Sequence, residues 1–339
     1  MATQTSADLK AALVGGLIHE DVMTSITNLS KNIDTPLSDM IGRGTHGNEY
    51  YSWTQDTQAT PSSTNAVLDG MSPTVNDATV GSRVGNHSQI SQKYVSVSTR
   101  NDASKTIGFA KSSAYQIQLR TEDLRRDIEC AMLSNNESIA DTDPQVGISG
   151  GLNAWIATNH QTSGAAGGFS TGTGLVVPYT PGTARGLTEA MVRQASSDVY
   201  KQGGNASVFM AVPDLISGLS QYMFTSSSRI ATLTREAPEN KAGTAIMSVN
   251  VMVLDFNVTM KMIPNRVQED ISAGVSTAFV LDPAKLELSN LRGMRAERLA
   301  KTGLAENWQI SQDWTLVVND EKAHACISDI TNTDDVTAG

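Results

Sequence analysis

The chain has 339 residues, 25 basic and 35 acidic side chains, a formal net charge of -10 and two cysteines, Cys130 and Cys326. This length can bury a large core or build two domains without disulfide staples, so both cysteines are expected buried and free. The acidic balance argues against a protein that wraps nucleic acid through a general positive field, but not against a container for it.

Charged residues make up only 18% of the chain, below the roughly one quarter usual for a solvated globule. Small polar side chains are abundant instead, which suits lateral contacts between copies. The opening MATQTSADLKAALVGGLIHEDV has no basic start and no cleavage site, and no apolar run reaches about 18 residues. The reading is a soluble, non-secreted chain with no membrane partner.

Residues 1–45 carry short helical pieces, ended by Pro36 and the glycines at 42, 44 and 47. An arm lying over another body fits them as well as an independent unit. Two strands are expected at Tyr50–Asp56 and Ser88–Arg100. The thirty or so residues between them have almost no periodic apolar content, and a loop of that length is usually functional or ordered by a partner. A projecting two-stranded arm with a loose tip is the expectation.

The longest regular stretch follows. Ala110, Ala114, Ile117, Thr121, Leu124, Ile128 and Ala131 recur at alternating spacings of four and three, predicting one helix over Ile107–Asn135. Lys111, Gln118, Glu122, Arg125, Arg126 and Glu129 fall on its expected wet face. A Gly- and Ser-rich stretch from Asp141 to Gly174 comes next, anchored only by Trp155 and Ile156.

A helix over Thr183–Lys201 is expected to carry Leu187, Met191, Ala195 and Val199 on one stripe and to close at Gly203–Gly204. Ala206–Val212 reads as a buried strand, and Pro213 opens a helix through Leu215, Leu219 and Met223. Further strands are expected at Thr244–Phe256, Val258–Ile263 and Ala278–Leu281. The clearest of all is Trp308–Val318, where Trp308, Ile310, Gln312, Trp314, Leu316 and Val318 alternate strictly with the residues between them. Ala323–Ile327 is expected to return as a final strand. The fold class is α+β, with the long helix and C-terminal strands in one body and a second α/β body inserted at about 180–280.

Catalytic patterns are weak. His19, His46, His87, His160 and His324 sit far apart, with no ligand spacing for a metal. Gly147-Ile148-Ser149-Gly150-Gly151 fits the hydrolase elbow, but the residues before it are DTDPQV where a hydrophobic strand is required. A serine hydrolase is therefore the remotest alternative, and no cofactor is expected. Basic residues cluster at Arg292, Arg295, Arg298 and Lys301, and at Arg125 with Arg126.

Several stretches stand in a telling order: Asp34-Thr35-Pro36-Leu37 with Ile41-Gly42-Arg43-Gly44, Tyr51-Ser52-Trp53-Thr54-Gln55-Asp56, Asn86 to Val97, Glu122 to Glu129, Gly150 to Ile156, Leu187 to Ala190, Ile263 to Arg266, and Leu299 to Glu306 leading through Trp314 to His324. Together they resemble the major capsid proteins of tailed double-stranded DNA bacteriophages with the Hong Kong 97-like fold. The similarity covers about residues 21–330. It implies an N-terminal arm (1–46), an extended β-hairpin loop (47–100), a peripheral domain with a spine helix (101–180), an inserted axial domain (181–280), and return strands to the peripheral domain with a C-terminal tail (281–339).

It also implies a function without turnover: hexamers and pentamers closing an icosahedral shell around packaged double-stranded DNA. The virion is then the location, with assembly in the host cytoplasm. A separate scaffolding protein, a portal at one vertex and a decoration protein are the implied partners. An encapsulin-like shell around a protein cargo is the alternative. Within that reading Trp53 and Tyr94 are expected to anchor the base of the extended loop. Arg125 and Arg126 are expected to make spine-helix contacts, and Arg292, Arg295 and Arg298 intersubunit contacts. Leu124 is expected to pack on the strand carrying Trp308 and Trp314.

Overall fold

The computed structural model describes residues 34–72, 81–104, 111–225, 251–253, 258–301 and 303–332. The chain starts with a short helix α1 (Pro36–Met40) and strand β1 (Gly42–Thr45). Then come β2 (Tyr50–Gln55), β3 (Ser82–His87), β4 (Gln89–Ser98), a short helix α2 (Thr99–Ala103) and the long helix α3 (Ser112–Leu133). The helical pieces expected before residue 34 lie outside the described residues, as do positions 244–250 and 254–257 of the expected strands, Ala110 and the side chain of Met223.

One sheet has four strands in the order β1-β12-β13-β4, where β12 is Leu286–Arg298 and β13 is Ala305–Val318. Helix α3 lies across β4 and β13. Leu124, Ile128 and Met132, four residues apart, bury into a core with Val95, Val97, Ile310, Trp314 and Leu316. Lys93 of β4 pairs with Asp127 of the helix beside this seam.

The helix therefore meets the strand expected of it, but its buried stripe is rotated. Ala114 is exposed, and Glu129, expected on the wet face, is buried. The physical reason is that the C-terminal half of the helix is covered from a second side, by α1. Strand β13 departs from strict alternation for a similar reason. From Gln312 to Val318 both faces are buried, one under α3 and the other against Ser149 and β3.

A six-stranded sheet has the order β5-β14-β11-β8-β10-β9. Its members are β5 (His160–Gln161), β8 (Val208–Ala211), β9 (Val251–Val253), β10 (Thr259–Pro264), β11 (Val275–Leu281) and β14 (Ala325–Thr331). Two helices cover one face, α5 (Glu189–Lys201) and α6 (Pro213–Thr225). Phe209, Ala211, Ala278, Val280, Ala325 and Ile327 face that core with Ala195, Val199, Leu215 and Leu219. The alternate residues Val208, Met210, Phe279, Leu281 and Cys326 join the first core instead. A period of two thus welds the two bodies through one sheet.

Three expectations are corrected here. The last strand, β14, belongs to the six-stranded sheet and not to the sheet of β12 and β13, because all but its final residue is buried and only a position beside β11 covers both its faces. The hairpin partner of β2 is β3, paired from Tyr50↔His87 to Gln55↔Ser82, whereas β4 is the edge of the four-stranded sheet, paired with β13. Residues 183–188 are not helical: Arg185 bridges to Ile330, and Thr188 caps α5 by accepting the Met191 amide. The expected glycine closure holds, since Gly203 has φ +88 and Gly204 N–H donates to the Val199 carbonyl at 3.0 Å.

The Gly- and Ser-rich stretch is ordered around its two anchors. Helix α4 (Leu152–Trp155) buries Trp155 and Ile156 in the first core, and a small hairpin of β6 (Gly168–Ser170) and β7 (Leu175–Val177) packs beside it. Trp155 stacks on Phe169 at 5.7 Å between ring centroids, 7° from parallel. Both cysteines are free: Cys326 is buried and Cys130 half-buried.

Candidate functional site

The hairpin of β2 and β3 is a two-stranded sheet of its own that leads to a loop whose described residues, 56–72, are all exposed. Its base is fastened in four ways. Trp53 donates its indole N–H to the Val318 carbonyl at 3.1 Å and lies 5.5 Å from the Trp155 ring. Gln55 Nε2 donates to the Asn319 carbonyl at 2.8 Å. Asn86 is buried: its amide donates to the Leu316 carbonyl at 2.9 Å and its Oδ1 accepts the Gly150 N–H at 2.9 Å. Tyr50 donates its hydroxyl to the Gly174 carbonyl at 2.9 Å.

Two histidines cross the hairpin's base. His46 bonds Ser289 at 3.0 Å through Nδ1 and Ser88 at 2.8 Å through Nε2, and His87 sits 3.6 Å from Glu49. Burial holds both imidazoles below their ordinary value, against the pull of Asp313 on His46 and Glu49 on His87. Beyond the base the tip makes no such contacts among the described residues. Val67, Leu68 and Met71 are 81%, 77% and 65% exposed, three large apolar side chains close together in sequence.

The expected site residues divide sharply. Trp53 holds the hairpin to the core. Tyr94 does not: it lies on β4 opposite Gln309 and is exposed, so any anchoring it does is to something outside the subunit. Leu124 and Trp314 are buried, the latter donating its indole N–H to Ser91 Oγ at 3.0 Å, and Trp308 packs half-buried at the core's margin. Arg125 is exposed, on a groove of about 200 Å³ shared with Arg43, Ile128 and Met294. Arg126 is half-buried, its Nε without a partner among the described residues.

Each of the three arginines of β12 has a carboxylate within the subunit. Arg292 lies 3.7 Å from Asp313, Arg295 2.9 Å from Glu297 and Arg298 2.6 Å from Glu306, which Lys301 also approaches at 3.4 Å. All four basic side chains remain about half exposed, and solvent makes such pairs worth little. They are available to exchange partners. Leu304, at the turn between β12 and β13, is 83% exposed.

Ser149 is a structural hydroxyl. It is buried, receives the Asn86 amide at 3.2 Å and the Leu316 N–H at 3.3 Å, and lies 3.3 Å from Thr315 Oγ1. The Gly- and Ser-rich stretch is therefore held at Ser149 as well as at its two expected anchors. A nucleophile needs a base within reach, and its neighbours here are amides and a hydroxyl.

Sequence reasoning missed a buried polar hub, Glu129. Its carboxylate accepts from the backbone N–H groups of Leu37 at 2.7 Å and Ser38 at 2.9 Å, from Ser38 Oγ at 2.6 Å and from Asn265 Nδ2 at 2.9 Å. Burial pushes its pKa up, against those four hydrogen bonds. The sequence held one hint, an acid one position beyond Ile128 on a helix whose stripe widens toward Met132 and Leu133.

Comparison with known proteins adds three findings. A family model described as SU10 major capsid protein matches residues 1–331. The major capsid protein of Escherichia phage Phieco32 is 25% identical over 323 residues, covering 83% of this chain and 85% of that one. Among solved structures, the capsid of the native GTA particle superposes with a TM-score of 0.61 at 14% identity, over 96% of this chain and 99% of that one. The encapsulin of the holo-SrpI complex from Synechococcus elongatus superposes at 0.58 with 12% identity, over 98% of each. The fold is thus the Hong Kong 97-like α+β fold that phage capsids and encapsulins share.

Proposed function

Because the chain belongs to the SU10 major capsid protein family, we propose that its surfaces work by assembly and not by turnover. It is a phage major capsid protein: it builds the capsid shell, and its place is the virion. Hexamers and pentamers close an icosahedral shell around packaged double-stranded DNA, assembled in the host cytoplasm. A separate scaffolding protein guides assembly and a portal occupies one vertex.

Within the subunit, residues 1–46 serve as the arm and 47–100 as the extended loop. Residues 101–180 and most of 281–339 form the peripheral domain with the spine helix α3. Residues 181–280 form the axial domain, completed by β14. The tip at Val67, Leu68 and Met71 lies over a neighbouring copy, which removes its apolar surface from water. Arg292, Arg295 and Arg298 exchange part of their internal pairing for carboxylates of neighbours. Trp53, Leu124, Trp308 and Trp314 hold the rigid frame, and Arg125, Arg126 and Tyr94 face outward to other copies. The net charge of -10 suits a container that encloses a polyanion without gripping it.

The observation that carries this reading is the family match, which runs from residue 1 to residue 331. Negative-stain microscopy of the purified full chain tests it, with closed shells or capsomer rings expected. A stable monomer at micromolar concentration would overturn it. Nuclease-protected double-stranded DNA within shells from infected cells supports the phage head, and a packaged protein in its place supports an encapsulin-like compartment.

A further inference from the structure

Helix α1 begins with a capping problem. Pro36 supplies no N–H, so the first free amide donors of the helix are those of Leu37 and Ser38. Thr35, in the capping position, makes no side-chain cap. Both amides are taken instead by Glu129, from 92 and 91 residues away. Oε1 accepts Leu37 N–H and Asn265 Nδ2, and Oε2 accepts Ser38 N–H and Ser38 Oγ.

A carboxylate offers about four lone-pair sites. All four are used here, each by a neutral donor, and no basic side chain pairs with Glu129 among the described residues. The three segments it joins have different owners. Leu37 and Ser38 end the arm, Glu129 belongs to α3, and Asn265 follows β10 of the six-stranded sheet, where its own N–H donates to the Ala211 carbonyl at 2.9 Å. Leu37, fully buried beside the clasp, fixes the depth at which α1 sits.

We propose that Glu129 is the positioning residue for the N-terminal arm. Its carboxylate seats α1 on the long helix and, through Asn265, on the six-stranded sheet, so that one side chain sets the place and tilt of α1. This deepens the shell-forming reading and rests on it for its consequence: with α1 unseated, closure suffers before the subunit fold does. The clasp also shapes the groove with Arg43 and Arg125, since Thr35, Ser38 and Asp39 form one of its walls.

Glu129→Gln is the discriminating variant, because it keeps the volume and replaces one oxygen that accepts two donors by an N–H₂ group that faces them. The experiment is hydrogen–deuterium exchange with mass spectrometry on the full chain, alongside shell yield by sedimentation. In Glu129→Gln, amides of residues 34–41 should exchange about tenfold faster while those of β13 do not change, and closed shells should fall several-fold. Unchanged exchange at 34–41 overturns the proposal. So does acceleration spread equally over β13, which would mark Glu129 as an ordinary core residue.

If Glu129→Gln does not fold, Asn265→Ala removes one donor only and carries the test. About threefold faster exchange confined to 34–41 is expected, and no change there overturns the clasp. A wild-type chain that forms no shells, with the local exchange response intact, would remove the shell-forming reading and leave the clasp standing.

Discussion

The core beneath α3 and the hairpin of β2 and β3 obey opposite rules. Along β13 every side chain from Gln312 to Val318 is less than a tenth exposed. Along the hairpin the pattern falls from half-buried at Tyr50 to fully solvated across residues 56–72. The first region is closed within one subunit, and the second is left open with apolar groups showing. Stability and assembly are thereby written into separate places, so a substitution in one should leave the other's measurement alone.

The largest effect belongs to the closed region. Leu124→Asp places a carboxylate where a side chain 1% exposed packs against the strand of Trp314 and Leu316. A cavity plus an unpaired buried charge costs roughly several kcal/mol. The variant should be insoluble or unfolded by circular dichroism, and soluble protein with an unchanged melting temperature would break the distinction at its strongest point.

The two regions were also unequally legible. A helix repeating Leu124, Ile128 and Met132 and a strand alternating Ile310, Trp314 and Leu316 announce themselves, because burial against one partner imposes a period on the sequence. Strand β3, SRVGNH, carries no such period: Asn86 points inward to bond two other segments, at Ser149–Gly150 and at Leu316, and position 85 is glycine because a Cβ there would come within 2.5 Å of the Tyr50 ring. It therefore read as loop, and β4 was given its place in the hairpin. Glu129 escaped for a related reason. An acid on a helix reads as surface unless its donors are known, and these come from residues 37, 38 and 265. The apolar tip stood in plain view in the sequence, but its role depends on a surface that one chain does not contain.

Acid separates the regions next. His160 and His324 are held neutral by burial, pushed down to about 4 and about 3 from the ordinary 6.5. His324 accepts the Asp282 N–H through Nδ1 at 3.2 Å and has no room to gain a proton cheaply. The folded state binds fewer protons than the unfolded chain between those values and 6.5. Stability from these groups is therefore complete above pH 6.5 and falls as pH drops toward 4 and then 3, by on the order of a few kcal/mol. Glu129, whose value is raised, acts in the opposite sense and offsets part of the loss. Denaturant midpoints measured from pH 7 to 4 should decline steadily, and His324→Gln should flatten the slope. A flat wild-type profile would show that these imidazoles are not buried as described.

Trp53→Ala probes the seam between the regions. It removes the bond to the Val318 carbonyl and the ring contact with Trp155, a loss of about 2–3 kcal/mol for a half-buried indole. The expected signature is a lowered melting temperature with the subunit still folded, and faster exchange at residues 50–55 and 82–87 but not at β13. Uniform acceleration would mean that the hairpin and the core unfold as one unit.

The smallest effect on the subunit should be the most damaging to the shell. Leu68 is 77% exposed and touches no core, so Leu68→Asp should change the stability of the isolated subunit by no more than about 0.5 kcal/mol. On the proposed overlap with a neighbouring copy, the same position gives up its apolar surface. A carboxylate there must be desolvated or must prevent the contact, and closed shells should disappear while capsomers or free subunits accumulate. Asp69, directly beside it, makes the variant a doubled charge on one short turn, which sharpens the repulsion. If shells of normal yield and stability form from Leu68→Asp protein, the apolar tip is not an assembly surface, and the open region of the molecule must be open for some other reason.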